Sequence, residues 1–306
     1  MITPEEASRL IKEKALELGF SACGIAPVRE LKDDATYLKA WLNAGYNGQM
    51  DYMANHFEKR TNPALLVENA QSVIVVLLNY ATDVLLAAKK LKIARYVQGD
   101  DYHLTVKQFL GVLFRFINET VAPAKGRMFC DSAPVLERRW AQQAGLGWTG
   151  LNRCLIHPKI GSFCFIGELV VDLKLGYDEP AAGDCGNCKR CVEACPTKAI
   201  EADGTLNASR CLSYLTGELK DDIPQEFHSS LQGYIAGCDS CQNVCPWNKE
   251  AANYVSPLWK TDEKLLKMDD DAWRNLSEEA FKTQFAHSPL QRLGYKKLKQ
   301  NIDTIT

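Results

Sequence analysis

Cys185-Gly186-Asn187-Cys188-Lys189-Arg190-Cys191-Val192-Glu193-Ala194-Cys195-Pro196 is a C-x2-C-x2-C-x3-C-P run, and its reading decides the fold of the second half of the chain. A 4Fe–4S cube needs thiolates that converge from short backbone turns, and the bacterial ferredoxin run has this spacing. Downstream, Cys238, Cys241 and Cys245 read C-x2-C-x3-C and are closed by Pro246, with Cys211 between the two groups as the eighth ligand. In two-cluster ferredoxins the last cysteine of each run crosses to the other cluster. That rule puts Cys185, Cys188, Cys191 and Cys245 on one cluster, and Cys195, Cys211, Cys238 and Cys241 on the second. Structural zinc uses C-x2-C pairs but has no need of a third cysteine and a closing C-P. The spacing therefore predicts two 4Fe–4S clusters and one-electron chemistry.

Working outward, 306 residues suffice for one large core or two domains. An apolar content of 46% with 24% charged residues is that of an ordinary globular chain. The longest aliphatic run, Val73 to Leu78, is far below the ~20 residues of a membrane span, so no membrane partner is expected. Met1-Ile2-Thr3-Pro4-Glu5-Glu6 carries no cationic stretch and reads as no signal peptide. Thiolate ligands that must stay reduced fit the cytoplasm. A net charge of −2 does not advertise a nucleic-acid binder, although a local basic patch is what binding phosphates requires.

Residues 1–180 read as an α/β layer structure. Thr3-Pro4-Glu5-Glu6 is a helix start, followed by a stripe at Ala7, Leu10, Ile11, Lys14 and Leu18 that ends at Gly19. A strand is predicted over Ser21–Val28 and a helix over Asp34–Ala44. Val73–Leu78 predicts a central strand covered on both faces. Helices follow at Asp83 to about Arg95 and Asp101 to about Asn118, then a short strand at Met128–Cys130. A helix over Pro134–Ala144 and a strand over Ser162–Leu173 complete this part. Residues 181–250 form the cluster module, and 251–306 a polar helical extension that packs on the core with no helical-repeat domain.

Gly145-Leu146-Gly147-Trp148-Thr149-Gly150 has the G-x-G-x-x-G spacing but follows a helix, so the phosphate-cradle context of a dinucleotide site is missing. The residues alone describe a two-cluster electron relay fused to a large α/β domain. A ferredoxin-type carrier with no catalysis of its own is the alternative from another class, and ~180 residues of additional core weigh against it.

Several stretches together carry a resemblance. They are Ala94-Arg95-Tyr96, Asp101-Tyr102-His103, Asp131-Ser132-Ala133-Pro134-Val135-Leu136-Glu137-Arg138, the glycine-tryptophan turn, Gly161-Ser162-Phe163 and Gly167-Glu168-Leu169. Cys211-Leu212-Ser213-Tyr214-Leu215-Thr216 and Gly237-Cys238-Asp239-Ser240-Cys241-Gln242-Asn243-Val244-Cys245-Pro246-Trp247-Asn248 complete the set. In this order they resemble the epoxyqueuosine reductases over roughly residues 5–250. The resemblance implies two 4Fe–4S clusters, a cobalamin, and an N-terminal nitroreductase-like corrinoid-handling fold shared with reductive dehalogenases. It further implies removal of the epoxide oxygen of epoxyqueuosine at the tRNA wobble position, with the anticodon loop as partner and an unidentified low-potential electron donor. Another corrinoid reductase, of the dehalogenase kind, is the nearer alternative.

The resemblance assigns the proton donor to Asp131, which must then be pushed up by about 3 pH units to hold a proton at neutrality. Capping of the Pro134 helix by Asp131 or Ser132 is the plain alternative. Tyr102, His103, Arg138, Trp148 and Asn152 are candidates for the substrate and cofactor pocket. Arg138 and Arg139 could hold corrin carboxamides or tRNA phosphates, and the run Lys89, Lys90, Lys92 and Arg95 could contact phosphate backbone, with a solvated surface the default reading of both. Cys23, Cys130, Cys154 and Cys164 fall outside the cluster spacing and read as small buried hydrophobes. Leu151 stands where the family commonly has lysine, and the helical-repeat domain of many members is not expected here.

Overall fold

The computed structural model of the chain describes residues 2–82, 90–251 and 255–305. Its centre is a four-stranded antiparallel sheet in the order β1-β2-β7-β4. These strands are β1 (Ala22–Pro27), β2 (Ser72–Asn79), β4 (Gly126–Phe129) and β7 (Cys164–Val171). The aliphatic run at 73–78 lies inside β2, which is buried at every position and flanked on both edges. Alternate side chains of β2 leave on opposite faces, so one run fills two cores. Ile74, Val76 and Leu78 pack with Ile11, Val106, Leu110 and Leu113, whereas Val73, Val75 and Leu77 pack with Trp140, Ala141, Ile166 and Val170.

Helices cover both faces. Helix α1 (Pro4–Glu17) is capped by Thr3, whose hydroxyl accepts the Glu6 N–H at 3.2 Å, and Gly19 ends it at φ +104°. Helices α2 (Lys32–Asn43), α3 (Phe57–Thr61) and α4 (Tyr102–Phe116) follow, the last capped by the Asp101 carboxylate. The helix expected from Pro134 begins three residues later, as α5 (Glu137–Gln143), because residues 130–136 turn tightly on their own carbonyls. The helix expected over 83–95 is also corrected where it can be seen. Its first seven residues, Lys89 among them, lie outside the described residues, but Lys92–Ile93 is a strand, β3, and Arg95–Val97 a 3-10 turn.

Two small sheets carry the rest: β5 (Trp148–Thr149) with β6 (Leu155–Ile156), and β3 in parallel with β8 (Tyr234–Ala236). Short helices α6 (Arg190–Ala194), α7 (Leu212–Gly217) and α8 (Ser240–Asn243) follow cysteines of the motif. Residues 263–305 carry a series of helices joined by short turns, and Trp273, Phe281, Phe285, Leu298 and Ile302 bury a third apolar cluster against Leu91, Ile93 and Ile235. The polar look of that segment reflects an amphipathic stripe, not a lack of core.

Candidate active site and cluster cavities

Asp101, Tyr102, His103 and Asp131 form one hydrogen-bonded group. His103 opens α4 and is 4% exposed, with Nδ1 2.6 Å from Asp101 Oδ1 and Nε2 2.8 Å from Asp131 Oδ2. Tyr102 donates its hydroxyl to the same Asp131 oxygen at 2.9 Å. The imidazole stacks on the Tyr102 ring, which stacks in turn on Phe165. Asp131 nevertheless keeps 57% of its side chain exposed, so one side of the carboxylate faces open space. Its backbone is left-handed at φ +58°, a conformation that aspartate accepts more readily than most residues and that clusters at functional positions.

The local electrostatics reverse one expectation. Burial alone would raise Asp131, but the hydrogen bond and charge of His103 outweigh it and hold the carboxyl below its usual range. Burial likewise pulls His103 down, and its bonds to Asp101 and Asp131 more than restore it, so the imidazole is held above its usual range. Asp101 falls to about 2 although burial opposes this, because His103 donates to it. In this arrangement the proton rests on His103. The capping alternative is also removed: α5 starts after Leu136 with no side-chain cap bond.

Beneath the Asp131 loop lie two carboxyls that the sequence reading passed over. Glu137 accepts the Asp131 backbone N–H, and it is within hydrogen-bonding reach of Glu168, which is wholly buried on β7. Tyr52, Glu218 and Arg138 bring hydroxyl, carboxylate and guanidinium groups into electrostatic reach of Asp131, and Tyr52 shares a hydrogen bond with Glu218. Arg138 is anchored through Nη1 to the Arg153 carbonyl at 2.9 Å.

The cysteines fall into the two sets that the crossing rule requires. Cys185, Cys188, Cys191 and Cys245 line one cavity together with Asn152, Ile156 and Trp247. Asn152 is 6% exposed; its Oδ1 accepts the Cys154 N–H, but its Nδ2 is buried without a partner among the described residues. An orphaned amide donor beside four thiolates fits a cluster whose sulfides accept hydrogen bonds. Trp148, edge-on to Trp247 at 4.8 Å, belongs to this side too, so Trp148 and Asn152 are placed by the cysteine cavity and not around Asp131. Cys195, Cys211, Cys238 and Cys241 face one another as the second set. Ala199 N–H already points at Cys195 Sγ (3.2 Å) and Ser240 N–H at Cys238 Sγ (3.5 Å).

Arg95 is a correction. Its side chain is 13% exposed, bonded to Asn243 and Asp239 and stacked over Phe163, so it locks the second cysteine loop and does not await phosphate. Lys92 lies over Tyr234, and Lys90 is exposed. Cys154 is a second correction: its thiol bonds to Cys241, which pulls it below the usual thiol range against the effect of burial. Cys23 and Cys164 are pushed up by burial, as small apolar residues should be. The second cysteine set connects to Asp131 through packed rings. Gly237 abuts Tyr96 so closely that a Cβ would sit 2.6 Å from its ring, and Tyr96 meets Tyr102 edge-on at 6.5 Å.

Known proteins resemble this chain along its whole length. The family model described as "Epoxyqueuosine reductase QueG, DUF1730" matches residues 60–132, and that of a "4Fe-4S double cluster binding domain" matches residues 184–248. An epoxyqueuosine reductase of Cellulophaga algicola is 45% identical over 99% of both chains. The crystal structure of an epoxyqueuosine reductase with a tRNA-Tyr epoxyqueuosine-modified stem loop superposes with a TM-score of 0.89 at 27% identity, covering 97% of this chain and 80% of that one. A catabolic reductive dehalogenase shares the fold at 17% identity and a TM-score of 0.54, covering 81% of this chain and 33% of its own. Mixed α/β layers, a double-cluster segment and 45% identity throughout leave one conclusion: this chain belongs to the epoxyqueuosine reductase family.

Proposed function

We propose that this chain reduces epoxyqueuosine to queuosine at the wobble position of tRNA. The observation that carries the reading is the Asp131 carboxylate, half open to solvent, hydrogen-bonded to His103 and Tyr102, and linked by Tyr96 to the second cysteine set. Residues 1–180 then act as a nitroreductase-like, cobalamin- and substrate-binding domain, 181–250 as a ferredoxin-like module, and 251–306 as an extension. Tyr52, Arg138 and Glu218, within electrostatic reach of Asp131, offer donors and acceptors suited to the amide-rich rim of a corrin. Two 4Fe–4S clusters and cobalamin supply low-potential electrons when bound. The physiological donor of those electrons is a partner still to be identified, and such chemistry on tRNA suits the cytoplasm.

The chain's own residues handle the proton. Because His103 holds it and Asp131 is ionised at rest, the acid is the His103–Asp131 pair. A proton crosses the 2.8 Å contact from Nε2 to Oδ2, and the exposed carboxyl presents it to the departing oxygen. Asp101 holds the imidazole in place, and Tyr102 steadies the carboxylate.

Two outcomes are expected. His103 is bound more tightly as imidazolium, so its stabilising effect is full below pH 6.5 and is lost as pH rises through its higher folded value. The melting-temperature deficit of His103→Gln should therefore be largest near pH 6 and shrink toward pH 9; a deficit that grows with pH contradicts the relay. An epoxyqueuosine-modified anticodon stem loop should bind more tightly than its unmodified counterpart, and both affinities should fall with salt as phosphate contacts are screened. Equal binding of the two stem loops would remove the wobble base as the recognised group.

A further inference from the structure

Glu168 sits in mid-β7 opposite Val75 on one neighbouring strand and Phe129 on the other, and no part of it reaches solvent. Neither carboxyl oxygen meets a hydrogen-bond donor among the described residues. A charged carboxylate is not stable in such surroundings, so the group keeps its proton. The protonated carboxyl can donate its O–H to Glu137, the first residue of α5, and Glu137 in turn accepts the backbone N–H of Asp131. Two acidic side chains thus lie directly beneath the loop that carries the proposed acid, and nothing in the mechanism above uses them.

We propose that Glu137 and Glu168 are a proton store for Asp131, supplying the second of the two protons that the reaction consumes. This rests on the reaction assigned under Proposed function. Deoxygenation converts an epoxide, two electrons and two protons into an alkene and water. Both C–O bonds break, a C=C bond forms, and the oxygen leaves with both protons. The reduced iron–sulfur clusters provide the electrons. The first proton comes from His103 through Asp131. The second comes from Glu137 and reaches the emptied Asp131 carboxylate through solvent at its exposed side, while Glu168 keeps its own proton and donates it as a hydrogen bond to the Glu137 carboxylate left behind.

The surrounding charges agree. Burial, then the charge of Asp131, pushes Glu137 up to about 8, and burial, then Glu137, holds Glu168 well above the carboxyl range. Arg138 opposes this from the next position of α5, and Arg60 of α3 lies near enough to feel Glu137. The neighbouring Cys130 thiol is pushed up by burial and stays neutral. Glu137 therefore has a proton to give at pH 7 and Glu168 one to keep, while His103 supplies the other proton of the reaction.

The test uses the cluster- and cobalamin-loaded enzyme with an epoxyqueuosine-modified stem loop. Infrared spectra at pH 7 should show the C=O stretch of a protonated carboxylic acid that Glu168→Gln removes. Glutamine fills the same space and donates an N–H to Glu137, which lowers that carboxyl. The fall of turnover at high pH should then begin about one unit lower in Glu168→Gln, and Glu137→Gln should slow turnover at every pH. If Glu168→Gln fails to fold, Glu137→Gln decides, because Glu137 lies only partly buried at the first position of α5, where glutamine keeps its shape. Absence of the acid band overturns the store regardless of activity. A present band with unchanged rates and pH limbs in both variants overturns its use. A present band in a wild type that converts no epoxyqueuosine upholds the store and sinks the reaction instead.

Discussion

Asp131→Asn should abolish turnover, by about 10²–10⁴-fold, while both clusters remain bound. The substitution keeps the shape of the loop, since asparagine also accepts the left-handed backbone found at φ +58°. It removes the acceptor that can take a proton from His103 and hand it onward, because an amide has no carboxylate to protonate. His103 should also lose one of the two contacts that raise it, so its titration should shift down toward ordinary imidazole. Activity loss with that shift marks a broken relay. Near-normal activity would remove Asp131 from the acid role, and an unshifted His103 would disprove the coupling seen in the geometry.

The second large effect concerns the cysteine sets. Cys185→Ser should lower the iron content from about eight to about four per chain, and turnover should vanish because the remaining cluster cannot be refilled. Cys185 lines the same cavity as Cys188, Cys191 and Cys245, so its loss opens one cluster and leaves the other closed. Cys195→Ser should instead empty the second set, whose thiols face Cys211. The paired variants separate the crossed assignment from a sequential one. Under the crossed rule, Cys245→Ser should destroy the same cluster as Cys185→Ser, by its EPR signature. Loss of the cluster that Cys238 serves would contradict the assignment.

Cluster chemistry was legible in the sequence because ligand spacing is a local property. Three thiolates on adjacent turns are written into seven residues, and the crossing rule brings in Cys245 from the second run to complete the cavity ringed by Cys185, Cys188, Cys191 and Cys245. The central strand was legible for a similar reason: six consecutive aliphatic residues can hardly be anything else in a mixed fold. The proton apparatus was harder to read. Asp101 looks like a helix cap and is one, but its carboxylate also orients His103, a role visible only when the ring position is known. Glu168 lies in the Gly167-Glu168-Leu169 stretch, where a lone acid within an apolar strand was the available signal. Its importance comes from Glu137 lying 31 positions earlier, and no periodicity links them. Arg95 misled because a basic run resembles a wet surface, whereas Asp239, from the distant cysteine loop, claims it. Cys154 was read as filler for the same reason, since Cys241 approaches it only in the folded chain. The start of α5 was misplaced by three residues because Pro134 signals a helix entry and the tight 130–136 turn delays it.

The most direct measurement incubates the anaerobically reconstituted protein with a strong reductant and tRNA from cells that accumulate epoxyqueuosine, with and without cobalamin. Nucleosides from the digested tRNA are then weighed by mass spectrometry. Loss of one oxygen from the epoxyqueuosine nucleoside, seen only with cobalamin present, is the predicted result. An unchanged nucleoside despite two intact clusters and bound cobalamin would contradict the account.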